Sequence, residues 1–175
     1  MNENEENDKL FSTNEKDYGD GYKEKLFEQY KLFLKMIDNL NERRSTANNF
    51  FLSVNTGLLT ALGILSSVGI KDGILNTWWI LAGASAGILF SYSWIRTVKS
   101  YGQLSAGKWK IIHAIERKLP LRLHETEWDV LKNGKDPKIY KPLTDVERTV
   151  PKIFQIIYIV LIVIAILIIT HVVYI

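Results

Sequence analysis

Residues 50–70 read FFLSVNTGLLTALGILSSVGI, a stretch without one Asp, Glu, Lys or Arg. About 20 mainly apolar residues carry an α-helix across ~30 Å of hydrocarbon, so this run predicts a transmembrane helix. Two further runs behave alike: Trp78 to Ile95 (WWILAGASAGILFSYSWI) and Ile153 to Ile175 (IFQIIYIVLIVIAILIITHVVYI). Only residues 71–77 separate the first two, which predicts a helical hairpin with a tight connector. The same hairpin inside a soluble protein would need apolar surface elsewhere to cover it, and the remaining sequence is too charged to provide that. The fold class predicted is all-α, an integral membrane protein with three transmembrane helices.

The charge pattern sets an orientation. Residues 1–49 hold 8 Lys/Arg against 11 Asp/Glu, a net of −3, and residues 96–152 hold 13 against 7, a net of +6. Arg43 and Arg44 precede the first span, Arg96 and Lys99 follow the second, and Lys152 precedes the third. Lys71 and Asp72 cancel in the connector. Positive residues favour the cytoplasmic side, so the N-terminus and central segment are expected there and the C-terminus outside. The basic segment between spans fits this bias and attraction to anionic lipid, rather than nucleic acid. Trp78, Trp79, Tyr92 and Trp94 at the ends of the second span suit the membrane–water interfaces. The acidic, polar start contains no positive n-region leading into a short apolar core, so no cleavable signal peptide is expected.

Outside the spans the chain divides by pattern. Residues 1–20 form an acidic tail expected to be disordered, and residues 21–49 an amphipathic cytoplasmic helix. Within the latter, Leu26, Phe27, Tyr30, Phe33, Leu34, Ile37 and Leu40 recur at three and four residues, one face of a helix. No Pro or Gly interrupts between Tyr22 and Thr56, so one helix from Tyr22 to Ile70 would extend about 70 Å. After the hairpin (50–95), residues 96–152 form a cytoplasmic helical region that opens with a second stripe. It comprises Trp94, Val98, Tyr101, Leu104, Ile111, Ile112, Ile115 and Leu119, and Pro120 ends it. Two membrane-rooted helices with such stripes are expected to pack as a coiled-coil-like stalk. Leu121 to Lys132 form a short segment anchored by Trp128 and Leu131. Asn133-Gly134-Lys135-Asp136-Pro137 is a turn by composition, and Thr144 to Glu147 read as a capping box. Pro151 is expected to bend the chain as it enters the third span.

Ser53, Thr56, Thr60, Gly63 and Ser67 repeat at three- and four-residue steps along one face of the first span. They serve either as a packing surface or as the lining of a narrow polar path. Gly83 and Gly87 make a small-xxx-small pair that permits close helix approach. Asn55 lies off the stripe and suits an interhelical hydrogen bond. The third span has almost no small residues and reads as lipid-facing.

Chemistry is sparse. Cysteine is absent, and His113, His124 and His171 have no metal-ligand spacing. No charged residue stands inside a span, which argues against coupled transport. No phosphate-binding loop or nucleophile motif occurs, and Glu116, Glu125, Glu127 and Asp129 read as solvated ion-pair faces. No catalytic, cofactor-binding or metal residue is expected, and the chain reads as a non-enzyme.

Several stretches resemble a known family. They are Arg43-Arg44-Ser45-Thr46-Ala47-Asn48-Asn49-Phe50-Phe51-Leu52-Ser53-Val54-Asn55-Thr56, Ser100-Tyr101 through Ile115-Glu116, Leu119-Pro120, and Glu127-Trp128. Tyr140 through Thr144, Glu147 and Pro151 complete the set. In this order they resemble the RipA-like family of small bacterial cytoplasmic-membrane proteins, an octameric membrane protein family. The resemblance implies an inner-membrane homo-oligomer, an octamer, linked to adaptation and growth inside host cells. It implies no assigned catalysis and brings no catalytic residues. A scaffold or stress-adaptation component with a cytoplasmic protein partner is the reading it favours. A channel or membrane-perforating effector, as in antiphage defence, is the alternative.

Overall fold

A computed structural model describes residues 9–68 and 73–173. All of its long elements are helices: α1 (Glu15–Tyr18), α2 (Tyr22–Val68), α3 (Gly73–Glu116), α4 (Leu123–Val130), α5 (Leu143–Glu147) and α6 (Thr149–Val173), with a 3₁₀ turn at Lys132–Gly134. No strand occurs among the described residues. Three helices are long and apolar enough to cross a membrane, within Tyr22–Ser67, Thr77–Glu116 and Leu143–Thr170. Residues 69–72, the end of the first predicted span and the start of the connector, lie outside the described residues, as does the side chain of His171.

The chain divides into two compact units. One, the charged unit, comprises Met1–Arg43 and Tyr101–Pro142; the other, the transmembrane unit, comprises Arg44–Ser100 and Leu143–Ile175. In the charged unit the two sequence stripes meet in one core. Leu26, Tyr30, Ile37, Ile112 and Ile115 are buried together, with Phe33, Leu34, Trp109 and Leu119 packed around them. Phe27 and Leu104, which the stripes also included, are about half exposed. Each lies beside a three–four ladder rather than on it.

Helix α3 stops at Glu116, short of the expected end at Leu119. Pro120 disfavours helical backbone at the residue before it. The last turn tightens instead, with Lys118 N–H donating to Ile115 O (2.9 Å) and Leu119 N–H to Glu116 O (3.0 Å). Positive φ begins at Lys132, one residue before the predicted turn, and continues through Asn133 and Gly134 (53°, 54° and 66°). Glycine suits the last position for a second reason, because a Cβ there would stand 2.9 Å from Pro142 Cγ.

In the transmembrane unit α2, α3 and α6 bury Leu62, Ala84 and Tyr158 in a common core. The expectation of a lipid-facing third span needs correcting. Most of α6 is exposed, but Pro151, Phe154, Tyr158 and Ala165 form one buried or half-buried face. The Tyr158 ring supplies there the fit that small residues would otherwise give. Pro151 stands in the first turn of α6, where N–H groups have no intrahelical partner. Its missing N–H falls where Glu147 O would be bonded, and the helix accordingly breaks at Arg148, between α5 and α6.

Candidate functional site

The transmembrane unit holds a closed polar seam. Asn55 and Ser91 are fully buried, on α2 and α3. Asn55 Nδ2 donates to Phe51 O one turn back (2.8 Å), and its Oδ1 accepts from Ser91 Oγ (2.9 Å). From α6 the Tyr158 hydroxyl donates to the backbone carbonyl of Asn55 (3.1 Å). Three helices thus converge on one residue. A polar group left unpaired at this depth would cost several kcal/mol, by the order of magnitude for hydrocarbon.

The two glycines of the small-xxx-small pair seat different neighbours. A Cβ on Gly83 would stand 2.6 Å from Leu62 Cδ2, the mobile end of a side chain, whereas one on Gly87 would overlap the Tyr158 ring. Gly87 is therefore the slot that admits Tyr158 and lets its hydroxyl reach Asn55.

One end of this unit is marked by aromatic and charged groups. Trp94 stacks on Phe51 (centroids 6.0 Å apart) and meets Phe154 at 6.2 Å, while its indole N–H donates to Asn48 Oδ1 (2.8 Å). Trp94 is buried, unlike Trp78, Trp79 and Tyr92, which are exposed as interface aromatics would be. It sits on the α3 seam of Ala84, Gly87, Ser91 and Val98, a spacing that would have identified it.

At the same end Arg44 Nε donates to Glu147 Oε2 (2.7 Å) and its Nη2 to Thr144 Oγ1 (2.9 Å), with the side chains of Arg44 and Glu147 only 8% and 18% exposed. The capping box expected at Thr144 and Glu147 is thus not formed. Thr144 lies inside α5, and both side chains serve an arginine 100 or more positions earlier.

The stripe lies elsewhere. Ser53, Thr56, Thr60, Gly63 and Ser67 are all exposed in the protomer, roughly 130° around α2 from the face that carries Asn55 and Leu62, at ~100° per residue. A Cβ on Gly63 would touch nothing within 4 Å. Thr60 Oγ1 donates to Thr56 O (2.9 Å) and Ser67 Oγ to Ile64 O (2.8 Å), so those hydroxyl protons are satisfied within the helix.

The charged unit contains one group the sequence reading misplaced. Glu116 is fully buried and not on a solvated ion-pair face. Its Oε1 accepts from the Tyr30 hydroxyl (2.9 Å) and the His124 N–H (3.2 Å), and its Oε2 from the Glu125 N–H (3.1 Å). Arg122 makes no side-chain cap, so Glu116 caps α4 from another helix and places its charge at the positive end. The signal was present: Glu116 is four residues after Ile112, on the buried stripe. Burial pushes the Tyr30 phenol up to about 12, reinforced by its bond to Glu116 and by that carboxylate's charge. Glu125 pairs with Arg117 (2.8 Å), and Asp129 accepts from Asn133 (3.3 Å). His113 and His124 flank Trp109, the latter at 5.0 Å between centroids. Among the described residues no three His, Asp or Glu groups are placed to hold a metal ion.

Residues 27–168 match the octameric membrane protein family (8xMP). Its name implies self-association as an octamer. No curated protein and no solved structure matches the chain.

Proposed function

We propose that this chain, which belongs to the octameric membrane protein family, is a non-enzymatic scaffold that forms a ring in the bacterial inner membrane. Its N-terminus and charged unit lie in the cytoplasm, where they present a partner-binding surface, and its C-terminus lies outside. The biological setting is adaptation to stress or to a host. The observation that carries this reading is the outward face of Ser53, Thr56, Thr60, Gly63 and Ser67. Small side chains gain little against lipid but let a second helix approach closely. The buried side chains of Asn55, Ser91 and Tyr158 are already hydrogen-bonded within the protomer, which supports a structural rather than a catalytic part for them.

The test is Thr60→Leu with Gly63→Leu, measured by native mass spectrometry of the solubilised complex. Both residues are exposed, so the protomer is expected to remain folded while the ring falls to smaller species. An unchanged ring mass would overturn the assignment of this face. The exposed hydroxyls also favour one second reading, a channel or membrane-perforating effector in which the face lines a central path. Conductance in liposomes that Thr60→Leu abolishes, with ring mass unchanged, would select it.

A further inference from the structure

The aromatic end of the transmembrane unit carries more cations than the protein neutralises. Arg44, Arg96, Lys99, Arg148 and Lys152 belong to this unit, against Asp145 and Glu147 among its described acidic residues. Glu147 is engaged by Arg44. Arg96 lies over the Tyr92 ring, 6.0 Å from its centroid. Arg148 is the unusual member. It is half-buried, and its Nε is shielded from solvent with no hydrogen-bond partner. Its terminal nitrogens are not among the shielded atoms, so the guanidinium keeps an edge open to an anion.

The level of the residue identifies the anion. Phe51, Trp94 and Phe154 stack at the ends of the three apolar runs, the level at which the hydrocarbon ends. Arg148 lies five residues before Ile153, where the third apolar run begins, roughly 7–8 Å at 1.5 Å per residue. The headgroup layer on each side of the ~30 Å hydrocarbon core is about 5–8 Å thick, so Arg148 reaches the phosphate level. Lys152 follows four residues later, in the first turn of α6, and is exposed. We propose that Arg148 and Lys152 form a site for the headgroup of an anionic phospholipid, with the guanidinium taking two phosphate oxygens and the ammonium supplying a second charge. The site requires only the membrane placement of the chain and is independent of the scaffold reading.

The test uses the full-length complex in mixed bilayers of phosphatidylglycerol and phosphatidylcholine, followed by native mass spectrometry of the lipids that remain bound. The wild type is expected to retain phosphatidylglycerol selectively. Arg148→Gln with Lys152→Gln should lower that selectivity by more than the roughly 25-fold, about fivefold per cation, that diffuse attraction gives any two surface cations. Arg96→Gln with Lys99→Gln, the same change in charge, should lower it by no more than that diffuse amount. Equal losses in the two pairs would mean diffuse attraction to the collar and would overturn the site. A smaller oligomer with selectivity unchanged would assign Arg148 to a contact between copies, and displacement by inorganic phosphate would assign it to a free anion; either overturns the proposal. Should the glutamine pair fail to fold, Arg148→Lys keeps the charge and removes the paired geometry, and undiminished selectivity in that variant refutes it.

Discussion

Gly87→Ala is the sharpest probe of how the transmembrane unit holds together. The new Cβ would overlap the Tyr158 ring, and that ring is fully buried with its hydroxyl tied to Asn55 O. Overpacking of this kind costs about 1–3 kcal/mol. Displacing the ring also weakens an interhelical hydrogen bond, worth about 0.6 kcal/mol in membranes. Alanine returns up to ~1 kcal/mol as the better helix former. The net expectation is a loss of about 1–2 kcal/mol, read as a shift in the detergent-induced unfolding curve followed by tryptophan fluorescence. Gly107→Ala is the control: a Cβ there meets nothing within 4 Å, so a gain of about 0.4–1 kcal/mol is expected. Tyr158→Leu removes the ring that clashes, so the double variant should be less unstable than the two single losses added, by about 1 kcal/mol. Strict additivity, or a Gly87→Ala protein as stable as the wild type, would refute the slot.

Two further outcomes follow from the polar contacts. Arg44→Met should cost about 3 kcal/mol, the lower part of the range for breaking a buried pair, because Glu147 is left at 18% exposure without its partner; Arg44→Met with Glu147→Leu should recover most of it, and thermal unfolding of the three proteins checks this. In the charged unit, the Tyr30 phenol titrates higher folded, about 12, than unfolded, near 10. Its contribution to stability is therefore complete below pH ~10 and is lost as pH rises towards 12. Stability measured across that window should fall less steeply in Tyr30→Phe than in the wild type.

What could be read directly from sequence was whatever a run or a period specifies. Residues 50–70 announce a span because hydrocarbon tolerates no unpaired charge, and Leu26, Tyr30 and Ile37 announce a buried face because a helix returns every 3.6 residues. What escaped depends on partners distant in sequence. Thr144 and Glu147 have the spacing of a cap, yet Arg44 engages both. Glu116 resembles the other carboxylates of a charged segment until the chain turns back and brings the His124 and Glu125 N–H groups to it. Trp94 has the address of an interface aromatic, but its three–four register with Gly87, Ser91 and Val98 turns it inward. In the last two cases position along the helix outweighed residue type, and the register was the better guide.

The same register explains why seam chemistry changes along each long helix. On α2 the buried positions run Leu26, Tyr30, Ile37, Leu40, then Arg44, then Asn55 and Leu62; on α3 they run Ala84, Gly87, Ser91, then Trp94, Val98, then Ile112 and Ile115. The three–four spacing persists while the side chains change from large and apolar to small and hydrogen-bonded. In water, burying apolar area is itself stabilising, so Ile37, Ile112 and Ile115 suffice for the charged unit. In hydrocarbon that gain is absent, because lipid tails are as apolar as leucine. Close backbone approach at Gly87 and hydrogen bonds at Asn55 and Ser91 must supply it instead. Small residues that face outward from α2 at the same depth follow the same rule with no partner inside the protomer. The proposed ring would supply that partner as a helix from another chain.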